Sequence, residues 1–92
     1  MDQTESIRQQ IKKLSEEIRQ SPTDVNLLCR RARLYEKLQD YGAALNDYNE
    51  VLRQQPHNKK AGAKAEMIKE TLYYQNIDIY AATNLNKDQW EE

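Results

Sequence analysis

The chain has 92 residues, 38% apolar and 32% charged, which supports one small domain with a thin core under a highly charged surface. Its 14 basic and 15 acidic residues give a net charge of −1, so the molecule as a whole exerts no general pull on nucleic acid or an anionic membrane. Two Gly and two Pro are too few for an all-β architecture, and the single cysteine, Cys29, excludes an internal disulfide and a cysteine-rich zinc site.

The segment Met1 to Glu5 is polar and lacks the basic and apolar regions of a signal peptide. No apolar run approaches the roughly 20 residues a membrane helix needs, so a cytoplasmic protein with no membrane contact is expected. Ile7, Ile11, Leu14 and Ile18 then recur at helical spacing, which predicts a helix over 3–20. Asp2 and Glu5 are placed to form a capping box at its start, and Ser21-Pro22 stops it.

Thr23 or Asp24 can cap a second helix, running from Val25 to about Gln39. Its apolar side carries Leu27, Leu28, Leu34, Tyr35 and Leu38 and is interrupted by Arg31. Asp40 is the candidate N-cap of a third helix bearing Tyr41, Ala44, Leu45, Tyr48, Val51 and Leu52. The short connection makes the two helices antiparallel neighbours, a hairpin over 24–55. Pro56 closes the hairpin, and Asn58 can cap a fourth helix over 59–75. Ala61, Ala65, Ile68 and Leu72 form its inward stripe, and the small run Ala61-Gly62-Ala63 permits close approach to a neighbour. Residues 76–92 mix aromatic, β-branched and amide side chains. They either extend the fourth helix or form a C-terminal arm.

Pro22 and Pro56 stand 34 residues apart, and the segment between them carries a recognisable pattern. Leu28 is an early large apolar residue, Ala32 a small one and Tyr35 an aromatic. In the next helix Tyr41, Ala44 and Tyr48 take aromatic, small and large aromatic positions, Val51 replaces a small residue, and Pro56 ends the unit. This resembles one complete tetratricopeptide repeat at about 25–58. Arg31 departs from a usual Leu, so it is expected to be less buried or to snorkel. Gln39 stands where a turn Gly is common. The flanking helices resemble half-repeats. The resemblance implies a single all-α domain over 1–92, an antiparallel helical-repeat superhelix of about four helices with a C-terminal arm. Ala32 and Ala44 would then mark the closest approach of the paired helices.

The same resemblance implies a peptide-binding face lined by first helices. Here that face would take Asn26, Cys29, Arg30, Arg33 and Lys37, with Lys60, Lys64 and Lys59 from the fourth helix. It is basic, which favours a partner segment bearing carboxylates. Lys60 and Lys64 match two basic residues of the carboxylate clamp found in some members. Arg30 stands where that clamp has an Asn, and the helix supplying its first Lys and Asn is absent, so a generic acidic peptide is the better expectation. The plain alternative is a solvated charged face, with Cys29 an ordinary half-buried helix residue.

Tyr73, Tyr74, Ile77, Ile79, Tyr80, Leu85 and Trp90 crowd large apolar groups into a short stretch. They either fold back to cap the repeat or dock on a second copy or a partner. A self-associating structural protein that homodimerises through this arm is thus the alternative to a protein-binding scaffold.

Catalysis is not expected. His57, the only histidine, lies in a Pro-His-Asn turn without a second ligand or nucleophile. No Gly-rich loop cradles a phosphate, and Glu16-Glu17 and Glu91-Glu92 are adjacent pairs that diverge on a helix. No cofactor, metal or small-molecule substrate is implied. Arg30, Arg31 and Arg33 with Lys59, Lys60 and Lys64 can meet phosphates, but no recognition helix or stacking platform accompanies them. A protein–protein interaction module is the expected function.

Overall fold

A computed structural model describes the backbone of residues 3–84 and the side chains of residues 3–75. The fold is all-α, with four helices: α1 Gln3–Gln20, α2 Val25–Lys37, α3 Tyr41–Gln54 and α4 Lys59–Asn84. Each helix packs on its neighbour in sequence, most extensively α2 on α3, which is the arrangement of a helical repeat. No described helix is long and apolar enough to cross a membrane.

The helices start where capping side chains satisfy orphan backbone N–H groups. Asp24 Oδ1 accepts from the amides of Asn26 at 3.0 Å and Leu27 at 3.3 Å. Asp40 Oδ1 accepts from the Ala43 amide at 3.3 Å, and Asn58 Oδ1 from the Ala61 amide at 2.9 Å. Each such cap contributes about 1 kcal/mol. The Asp2 half of the expected capping box lies outside the described residues.

α2 ends at Lys37, two residues earlier than its apolar pattern implies. Gln39 adopts the left-handed region, φ 61°, and turns the chain toward α3. The Gln39 amide donates to Glu36 O at 2.8 Å and the Asp40 amide to Tyr35 O at 2.9 Å, the paired bonds of a Schellman cap. A side chain at this φ costs about 1–2 kcal/mol, which explains why Gly is usual at such a turn.

The core runs through the stack as Leu14 and Ile18 from α1, Leu28 and Ala32 from α2, Ala44, Tyr48 and Val51 from α3, and Ala61, Ala65 and Ile68 from α4. Ala32, Ala44 and Ala61 are fully buried, so the helices approach closely where the sequence supplies a methyl group. Tyr35 and Tyr41 pack against this core half-buried, and Pro56 is exposed in the turn before α4.

Arg31 is the main departure from the sequence expectation. It neither snorkels nor lies on an open face. Its guanidinium makes two bonds of 2.8 Å to Asp47, donates to Ser15 Oγ at 3.0 Å, and lies 5.8 Å from the centre of the Tyr35 ring. The Asp47 carboxylate is itself buried. One polar residue therefore ties α1, α2 and α3 together, and the hydrogen bond to Asp47 keeps the guanidinium firmly charged.

α4 is 26 residues long and α3 is 14, so at about 1.5 Å per residue α4 outlasts its neighbour by roughly 18 Å. The helix continues past residue 75 because no Pro or Gly interrupts 63–84. The first part of the expected arm is thus helical backbone.

Candidate functional site

α2 and α4 flank α3 and leave a groove of about 540 Å³ between them. Val25, Asn26, Cys29, Arg30 and Arg33 line it from α2. Asn58, Lys60, Ala61 and Lys64 line it from the start of α4, and Tyr48 of α3 forms the floor. The stagger of 26, 29, 30 and 33 on one helix face and 60, 61 and 64 on the other brings these side chains together.

Six of the eight residues expected from the sequence on the binding face line this groove: Asn26, Cys29, Arg30, Arg33, Lys60 and Lys64. Lys37 does not. It is exposed at the end of α2, one turn beyond Arg33, and the groove stops short of it. Lys59 is also exposed and outside the lining. Asn58 and Tyr48 were not legible as groove residues, because one reads as a cap and the other as core.

The charged residues that line the groove, Arg30, Arg33, Lys60 and Lys64, are all cationic, with no carboxylate among the lining residues. Arg30, Arg33 and Lys60 make no side-chain hydrogen bond or ion pair with another described residue. Lys64 differs: its ammonium donates to Glu36 Oε1 at 3.0 Å. Glu36 Oε2 in turn accepts from the Tyr48 hydroxyl at 2.6 Å. Burial, reinforced by this bond to a carboxylate, pushes the Tyr48 phenol well above its ordinary range. The hydroxyl is therefore a fixed donor at neutral pH.

Cys29 is half-buried in the wall. Burial raises its thiol above the ordinary value, Arg33 and Lys60 pull it down, and Asp47 adds a smaller upward push. The net rise keeps sulfur protonated, so the residue is not an activated nucleophile. The Asn58 side chain is spent internally, its Oδ1 on the Ala61 amide and its Nδ2 on Gln55 Oε1 at 2.9 Å. The exposed Asn26 side-chain amide has no hydrogen-bond partner among the described residues.

A second surface lies on α4. Tyr73 and Tyr74 are each 61% exposed and Met67 50%, so the described part of this surface does not fold back onto the repeat. The two tyrosine rings meet edge to face, with centroids 5.5 Å apart. Ile77, Ile79 and Tyr80 lie on helical backbone, but their side chains, like Leu85 and Trp90, fall outside the described residues. No family model, curated protein or solved structure matches this chain.

Proposed function

We propose that the chain is a tetratricopeptide-like interaction module that holds an acidic segment of a partner protein in the groove between α2 and α4, without catalysis. One observation carries this reading: Arg30, Arg33 and Lys60 gather on one carboxylate-free groove with no internal partner among the described residues, in a protein of net charge −1. Unpaired cations in a concave site favour an anionic ligand, and the open Asn26 amide adds a hydrogen-bonding group for an extended backbone. The repeat reading is supported by the 34-residue spacing of Pro22 and Pro56 and by the buried Ala32 and Ala44 in the hairpin between them. A peptide is favoured over nucleic acid because the one aromatic ring in the groove, Tyr48, is 3% exposed and offers no face for base stacking.

The test is titration with a hexaglutamate peptide, read by calorimetry. Arg33→Glu with Lys60→Glu should weaken binding about tenfold and leave the helical circular dichroism intact. Unchanged affinity would remove this groove from consideration. Tighter binding of a single-stranded oligonucleotide at matched salt would reassign it to nucleic acid.

The exposed Met67, Tyr73 and Tyr74 favour a second reading, in which α4 meets α4 of another copy. Light scattering of the full chain and of a Met67→Ser, Tyr73→Ser, Tyr74→Ser variant separates the cases. A monomer at all concentrations for the full chain would end the self-association reading.

A further inference from the structure

The groove contains four cations but leaves only three open. Lys64 is already engaged by Glu36, whose side chain is 17% exposed and lies outside the groove lining. Glu36 is also the acceptor for the buried Tyr48 hydroxyl. One carboxylate thus joins all three helices that build the groove: α2 supplies it, α3 anchors it and α4 is neutralised by it.

We propose that Glu36 is a specificity-determining residue, an internal carboxylate that occupies Lys64 and limits the groove to ligands whose charge is met by Arg30, Arg33 and Lys60. This rests on the acidic-peptide reading and adds to it the size of the charge cluster that the groove accepts. A ligand carboxylate approaching Lys64 must share the ammonium with Glu36 and stand beside a second negative charge. Glu36 cannot swing aside without leaving the Tyr48 hydroxyl buried and unpaired. Glutamine at this position would keep the acceptor for Tyr48 and the shape of the side chain. It would remove the charge and open Lys64 as a fourth contact.

The experiment titrates the wild-type chain, E36Q and E36Q/K64M with triglutamate and hexaglutamate peptides that are acetylated at the N-terminus and amidated at the C-terminus, so that they carry three and six carboxylates. E36Q should bind hexaglutamate about threefold to fivefold more tightly than wild type, with a smaller gain for triglutamate. E36Q/K64M should return hexaglutamate affinity to the wild-type level. In wild type alone, the two peptides should show the same salt dependence, because three open cations are already saturated by the shorter one. A steeper dependence for hexaglutamate would overturn the proposal without recourse to any variant. Equal affinity of wild type and E36Q for hexaglutamate would also overturn it, while leaving the acidic-peptide reading in place. Binding by E36Q but not wild type would support the block by Glu36 and end the reading of the native groove as an acidic-peptide site. Absence of binding by either would overturn both.

Discussion

The guanidinium of Arg31 and the carboxylate of Asp47 face each other across the α2–α3 contact through two parallel bonds of 2.8 Å. The Asp47 side chain is 6% exposed and that of Arg31 20%, so the pair is shielded from water over most of its surface. A shielded bidentate pair is costly to break and less costly to replace whole. Asp47→Leu should destabilise the fold by about 3 kcal/mol, and Arg31→Met by a similar amount. The double change Arg31→Met with Asp47→Leu should recover most of the loss. Urea denaturation of the four proteins gives the coupling energy, and strictly additive losses would show that the pair does not act as a unit.

The left-handed turn at Gln39 carries a strain that glycine lacks. Gln39→Gly relieves about 1–2 kcal/mol in the native state and returns part of it through a more flexible unfolded chain. A net gain of about 0.5–1 kcal/mol is expected. A loss of thermal stability in this variant would show that Gln39 makes a compensating contribution.

Ala44 is fully buried at the contact between α2 and α3. Leucine there forces the two helices apart and should cost about 1–3 kcal/mol. The same change at Ala63, which is exposed on α4, should be nearly silent. Similar melting temperatures for the two variants would mean that the α2–α3 contact tolerates expansion.

Alkaline titration should find Tyr48. An ordinary tyrosine loses its proton near pH ~10, and Tyr48 holds its proton beyond that through burial and its bond to Glu36. The unfolded state therefore releases this proton first. The Tyr48 contribution to stability is complete below pH ~10 and is lost as pH rises through the higher native value. Tyr48→Phe should remove this part of the alkaline decline. Ultraviolet titration of the wild type should show a late tyrosine ionisation, and in the variant that late step should vanish.

Much of this molecule was written into its local sequence. The four helices follow from the spacing of Ile7 to Ile18, from Asp24, Asp40 and Asn58 as caps, and from Pro22 and Pro56 as breaks. These are short-range effects, set within one or two helical turns. The basic wall was legible too, since Asn26, Cys29, Arg30 and Arg33 share one stripe of a single helix. Tertiary structure alone decided which charges stay open. Arg31, on the same run of basic residues as Arg30 and Arg33, is taken into the core by Asp47, and Lys64 is claimed by Glu36. Both partners come from other helices, 16 and 28 residues away along the chain. Periodicity shows which face a residue occupies on its own helix, not which opposite charge the fold brings against it.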